Sequence, residues 1–410
     1  MKELLKTGAF VAAAAVLSTV AVYTEPERRT AAIFSETGTT FFPGYKRPQD
    51  VKTIEVVDYD EATASAKPFQ VAFEKGRWIL PSHYNYVIDV GDRLVKTAGA
   101  LVDLQRDNVV SEAVSDYARY GVIDPLDQKN PSLTGRGKRV TLRDARKDVL
   151  ADFILGKPVE GKQGMRYLRA PSEKRVYAVK TGADPSANFA DWVNSGLLRI
   201  ASANLRKVTV VSYSIDEQFG RLANMEQVAL TKEGTTWTMA GAAGFNKNVV
   251  NAMAATLDGL RISDVRPKPP SMAEGLKTGR LEMSLEGAMS MRQRGYFLTP
   301  QGRLLANEGE MIAELANGLV YVLRFGELAS SQGETKGGKG GDDRFLFVTV
   351  SFDPQRAAKY GDASGNGERL AKELTNRFAD WYYVIRGSDF TKLRLKRKDL
   401  LPSGATPAAQ

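Results

Sequence analysis

Ile54-Glu55-Val56-Val57-Asp58-Tyr59 is answered 154 residues later by Val208-Thr209-Val210-Val211-Ser212-Tyr213, with the same apolar positions and the same closing tyrosine. A Gly-x-Trp-like turn follows each stretch, Gly76-Arg77-Trp78 and then Gly234-Thr235-Thr236-Trp237. A leucine-lined segment comes next in both, ending in Leu101-Val102-Asp103-Leu104 and in Leu257-Asp258-Gly259-Leu260. Phe-Ala-Asp-Trp then occurs at Phe189 to Trp192 and at Phe378 to Trp381. Matches recurring in one order are the mark of internal duplication.

The alternation in Ile54 to Val57, Phe69 to Phe73 and Arg77 to Leu80 predicts the opening strands of a first copy, residues 51–206. Val87, Val90, Leu94, Ala98 and Leu101 recur at helical spacing and predict an amphipathic helix over 86–104. Tyr120-Gly121 closes a shorter helix with glycine at the C-cap. Arg139 to Leu142, Leu150 to Leu155, Arg166 to Leu168 and Arg175 to Val179 read as four more strands, mostly antiparallel because their connections are short. The second copy, residues 207–401, opens with strands at Val208 to Tyr213, Gln227 to Leu230 and Thr236 to Met239. Val249, Val250, Met253 and Leu257 stripe its helix, and Leu319 to Phe325 and Phe345 to Phe352 are strong strands. Leu370, Leu374, Phe378 and Trp381 share a helical face, so the two Phe-Ala-Asp-Trp units read as one packing helix used twice. The expected fold class is α+β: two tandem homologous units, each a largely antiparallel sheet packed with helices, after one N-terminal hydrophobic helix.

That leading segment carries an address. Lys2 and Lys6 precede an uncharged run from Gly8 to Tyr23, and Glu25, Glu27, Arg28 and Arg29 end it. As a helix the run rises about 24 Å, short of a hydrocarbon core of roughly 30 Å, and Leu4 and Leu5 bring it to spanning length with Lys6 snorkelling. Three readings stand: an uncleaved anchor over residues 1–23, a signal cut near Thr19-Val20-Ala21, or a buried core helix. Either of the first two places the bulk in the periplasm or another extracytoplasmic space, with an anchor giving a single-pass inner-membrane protein. Residues 24–50 read as an irregular spacer and 402–410 as a disordered tail.

Composition excludes more chemistry than it supplies. At 410 residues, 43% hydrophobic and 26% charged, the chain suits two or so globular domains. Having no cysteine removes thiolate nucleophiles, disulfides and zinc-thiolate sites, and His83 is the single histidine, which excludes a histidine-rich metal site. No metal or cofactor is expected. The net charge of +9 gathers at Arg136 to Lys147 and Lys392 to Lys398. The period-2 run Lys392-Leu393-Arg394-Leu395-Lys396 reads as a strand with one wet face, and anionic lipid or an acidic partner is the functional alternative. No nucleic-acid motif accompanies the charge.

Four features look chemical. Gly333-Glu334-Thr335-Lys336-Gly337-Gly338-Lys339 nearly has phosphate-loop spacing, but residue 340 is glycine where Ser or Thr must hold magnesium, and a strand follows where a helix is needed. His83 lies between a strand and a helix, and no Gly-x-Ser-x-Gly elbow supplies a serine for a triad. Asp58, Asp60 and Glu61, or Asp191 with Glu112, are the carboxylates a glycoside hydrolase would need; solvated turns and caps are the plainer reading. Asp191 and Asp380 sit among aromatics, where an acid can be perturbed, though facing water is commoner. Trp78, Trp192, Trp237 and Trp381 recur two by two, which argues for core packing. No catalytic, cofactor-binding or metal residue is assigned.

Gly76-Arg77-Trp78, Tyr120-Gly121-Val122-Ile123-Asp124-Pro125 and Tyr167-Leu168-Arg169 followed by Val176-Tyr177 resemble the domain-of-unknown-function family 4340 (DUF4340). Gly295-Tyr296-Phe297-Leu298, Asn307-Glu308-Gly309-Glu310, Gly318 to Gly326 and Arg377 to Tyr383 resemble its long, two-copy members in planctomycete-like bacteria. The resemblance implies one N-terminal hydrophobic segment, an exported body and company with ABC-type transporters of the gliding-motility auxiliary kind. It carries over no catalytic residue. The expectation is therefore a membrane-anchored, extracytoplasmic, non-enzymatic accessory protein whose partners are the membrane and an ABC-type permease or envelope proteins. An envelope hydrolase using paired carboxylates and a binding module for anionic envelope polymer or lipid are the alternatives.

Overall fold

The computed structural model describes residues 37–88, 91–183, 185–193, 196–216, 221–242, 244–280, 284–299, 301–329, 342–360 and 366–401. The N-terminal hydrophobic segment, the Gly333 to Lys339 loop and the 402–410 tail lie outside them. Among the described residues no helix is long and apolar enough to cross a membrane. The chain forms two compact units: Met1–Val51 with Val95–Asp184, and Lys52–Leu94 with Pro185–Gln410. These boundaries follow contacts and differ from those of the sequence repeat.

Strands β1 (Thr53–Asp60), β2 (Ser65–Glu74), β3 (Arg77–Leu80) and β4 (Tyr86–Ile88) form an antiparallel meander in the second unit. Ile54 and Val56 are buried while Glu55 between them is only half-buried, as the pleat requires. The expected helix over 86–104 is shorter: helix α1 spans Gly91–Gly99 and Tyr86–Ile88 is strand. Tyr84 (φ 57°) and Asn85 (φ 59°) reverse the chain and lay residues 86–88 against β3. The helical spacing persists further on, since Ala98 and Leu101 are fully buried.

The first unit holds β5 (Asn108–Ser111), the short helix α2 (Tyr117–Tyr120), β6 (Lys138–Arg143), β7 (Val149–Pro158), β8 (Met165–Arg169) and β9 (Val176–Lys180). Its strands run in the order β6-β7-β8-β9-β5, every adjacent pair antiparallel. Gly121 ends α2 in the left-handed region at φ 68°, the C-cap read from sequence. Tyr117, Val122, Ile123, Ile154 and Val176 pack beneath that cap. Phe41 and Tyr45, from the spacer read as irregular, are buried in this unit, and the Tyr45 hydroxyl donates to Ala98 O at 2.9 Å.

The second unit continues with β10 (Leu205–Asp216), β11 (Arg221–Glu233), β12 (Thr236–Met239), α3 (Lys247–Asp258), β13 (Ile262–Pro267), α4 (Pro270–Thr278), α5 (Leu285–Arg292), β14 (Tyr296–Leu298) and β15 (Leu304–Ala306). Then come β16 (Glu310–Leu315), β17 (Leu319–Leu328), β18 (Arg344–Phe352), α6 (Pro354–Lys359), α7 (Gly367–Ala379), β19 (Trp381–Ile385), α8 (Gly387–Leu393) and α9 (Arg397–Leu400). Its large sheet has the order β12-β11-β10-β16-β17-β18-β19-β13, and β14-β15 form a separate pair. Helix α7 buries Ala371, Leu374 and Phe378 along one stripe. The class is thus mixed α+β with mainly antiparallel sheets.

Two local expectations are corrected. Phe189–Asp191 is one turn of 3-10 helix capped by Asn188, whereas Phe378 ends the long α7 and Trp381 begins β19. The four-residue match therefore joins different elements, and Trp192 and Trp381 are not equivalent; Trp78 lies on β3 and Trp237 on β12. The basic run is also not a strand: α8 continues to Leu393, and Arg394 and Leu395 follow its end. Leu393 and Leu395 are both buried, so the alternation reported burial correctly, but a helix terminus turning into extended chain satisfies it.

Candidate functional site

Most of the carboxylates that a hydrolase would need are engaged by a neighbour. Asp58 accepts from the Tyr59 amide at 2.9 Å. Asp60 pairs with Lys67 Nζ at 2.7 Å across the β1–β2 hairpin and accepts from the Ala62 amide at 2.9 Å. Lys67, seconded by those turn amides, pulls the Asp60 carboxyl down to about 2. Glu61 is exposed beside it. Asp191 accepts from Ser186 Oγ at 2.5 Å, closing its own turn. Glu112, the acid considered with it, belongs to the other unit and accepts from Arg175 Nε at 2.7 Å. Asp380 pairs with Lys277 at 2.6 Å. No group of three or more acids or histidines able to hold a metal occurs among the described residues.

His83 stands in a more pointed setting than the sequence indicated. Its ring lies 4.8 Å from that of Phe189 and 5.5 Å from that of Phe69. Nδ1 is 3.0 Å from Ser82 Oγ, and Nε2 is 3.9 Å from Asp264 Oδ1. Serine, histidine and aspartate are therefore collected within the second unit. Arg266 pairs with Asp264, and Ser82 Oγ accepts the Gln70 amide at 3.3 Å, so both ends of the trio have a second partner. Burial depresses the imidazole pKa, Asp264 opposes this and Arg266 adds to it. A mostly neutral ring wedged between aromatics is the result. The left-handed Tyr84 beside it is a costly conformation for a bulky residue, held by the β3–β4 pairing.

Lys268 escaped the sequence reading. It is buried, and its ammonium donates to Phe378 O at 2.8 Å and Trp381 O at 2.6 Å. The Phe347 ring lies 4.1 Å beneath it. Burial lowers its pKa well below the lysine value, with Asp380 opposing. A depressed lysine is what amine catalysis uses, but Phe378 O belongs to the last turn of α7, where a donor caps the helix end, and Trp381 O to the start of β19. Its only sequence signal is its place between Pro267 and Pro269, which says nothing of a partner more than a hundred residues away.

The two basic stretches are largely engaged. Arg136 donates to the carbonyls of Asp124, Asp127, Asn130 and Ser132, at 2.7–3.0 Å. Arg139 pairs with Asp152 at 2.8 Å and Asp124 at 3.0 Å. In the second stretch Arg394 binds Glu308 at 2.9 Å and Arg397 Nη2 donates to Gly241 O at 2.5 Å. Lys392 and Lys398 remain exposed. Beside Lys392, between α3 and α8, lies an open pocket of about 460 Å³.

Fold and interior thus describe an α+β protein of antiparallel sheets whose inner charges mostly hold its own backbone. Residues 78–278 match the family described as Domain of unknown function (DUF4340). None of the curated proteins matches. Kievitone hydratase from Nectria haematococca, a crystal structure, aligns at 7% identity over 86% of this chain and 95% of its own, with a TM-score of 0.11. So low a score carries no argument.

Proposed function

We propose that this is a membrane-anchored, extracytoplasmic, non-enzymatic accessory protein acting beside an ABC-type transporter or a gliding-motility-like envelope complex. The observation that carries the non-enzymatic reading is the separate engagement of Asp60 by Lys67, Glu112 by Arg175 and Asp191 by Ser186. A hydrolase working through two acids needs them facing one substrate, one of them with a raised pKa. The family domain and the apolar run from Gly8 to Tyr23 support the envelope setting.

The body is read as two copies of one design. Strand order supports this: β3-β2-β1 recurs as β12-β11-β10, and β6-β7-β8-β9-β5 recurs as β16-β17-β18-β19-β13. Such a duplication offers a partner two related sets of hairpins. The test is purification of the full-length chain from bacterial membranes in mild detergent. A permease or envelope protein should accompany it, and recovery only as a free cytosolic monomer overturns the proposal.

A further inference from the structure

Helix α3 faces the core with Val250, Met253, Ala254 and Leu257. Val249 and Ala252, one turn apart on an adjoining face, are left out of that core; Ala252 is exposed and Val249 half-buried. Across from them Phe390 of α8 and Leu395 complete the apolar floor of this open pocket of about 460 Å³. Three charged groups reach the rim. Arg394 is held by Glu308, through Nε to its carbonyl at 2.8 Å and Nη2 to its carboxylate at 2.9 Å. Asp399 accepts the Lys396 amide at 2.9 Å. Lys392, in the last turn of α8, makes no ion pair or hydrogen bond among the described residues.

An apolar floor with one unpaired ammonium at its edge is complementary to an apolar tail ending in an anion. The volume falls in the lower half of the range for small-molecule pockets, roughly 300–1,000 Å³, which suits one chain better than two. We infer that this pocket binds a single-chain anionic amphiphile, its tail lying on Val249, Ala252, Phe390 and Leu395 and its head group on Lys392. The inference is independent of the accessory role, since it needs no protein partner. It also narrows the basic stretch: the arginines brace the fold, and one lysine reads the ligand.

Titration of the full-length chain with cis-parinarate, a fluorescent fatty-acid anion, tests it. Saturable one-to-one binding is expected, weakened at least tenfold in Lys392→Glu and, independently, in Ala252→Trp, which fills the floor from an exposed position. Lys392→Gln should weaken it several-fold without reversing the charge. The neutral methyl ester should bind less tightly and should not distinguish Lys392→Glu from the parent. Equal affinity in parent and variants overturns the site. So does binding confined to phosphatidylglycerol vesicles that depends on Lys392 and ignores Ala252→Trp, because Lys392 would then serve only surface attraction.

Discussion

Lys268 is the residue whose environment departs furthest from its type. Substituting methionine keeps the stem's volume and removes the ammonium, leaving Phe378 O and Trp381 O without that donor. Such carbonyls cost about 1–3 kcal/mol each when buried, so Lys268→Met should destabilise by about 3 kcal/mol, read as a lower urea midpoint at neutral pH. The pH dependence has a definite sign. The folded pKa lies below the ordinary 10.5, so between the two the unfolded chain holds the proton more strongly. This lysine's contribution is therefore most favourable above the unfolded value and is lost as pH falls through the folded one. The gap in stability between parent and Lys268→Met should widen in the parent's favour as pH rises from 7 toward 10; a constant gap would contradict the depressed pKa. Asp60 has the opposite character, a half-buried carboxylate paired across a hairpin with half-buried Lys67, so Lys67→Ala should alter stability only modestly, and less in high salt.

At the scale of elements, the chain's own chemistry was readable where it acts locally. Gly121 after Tyr120 stops α2, and Asn246 caps α3 by accepting the Asn248 amide at 3.1 Å. Asn246→Ala should therefore cost about 1 kcal/mol in thermal or urea unfolding. Gly326 is different: it lies in β17, and a Cβ there would fall 2.2 Å from Arg294 O and 2.8 Å from the Tyr296 ring. Gly326→Ala should destabilise by about 3 kcal/mol, an overpacking cost, and unaltered unfolding would show that the β14 segment can draw back. The two element-level errors share a cause. Lys392 to Lys396 and the Phe-Ala-Asp-Trp repeats are patterns of only four or five residues. A window so short does not separate a helix end from a strand, or a lone 3-10 turn from the last turn of a thirteen-residue helix.

For the molecule as a whole, contacts and sequence order divide the chain differently. Lys52–Leu94 clusters with Pro185–Gln410, and Tyr86 stacks edge-on against Trp381 at 5.0 Å while His83 approaches Asp264. A protein co-expressed as two pieces, split between Ala201 and Ser202, should therefore co-purify as one complex in native buffer. Separation of the pieces without denaturant would contradict the shared unit.

Local patterning along the chain accounts for the strand and turn pattern, the C-cap of α2 and the α+β class, and composition rules out thiol and polyhistidine chemistry. Each rests on neighbours within a few residues or on composition, where periodicity and backbone sterics act directly. Tertiary structure alone decided which charges are free. Lys268 meets carbonyls 110 and 113 residues away, Arg394 a glutamate 86 residues away, and Lys392 no described partner. Coulombic and hydrogen-bond partners are fixed by proximity in space, and nothing in the spacing along a chain encodes that proximity at such range.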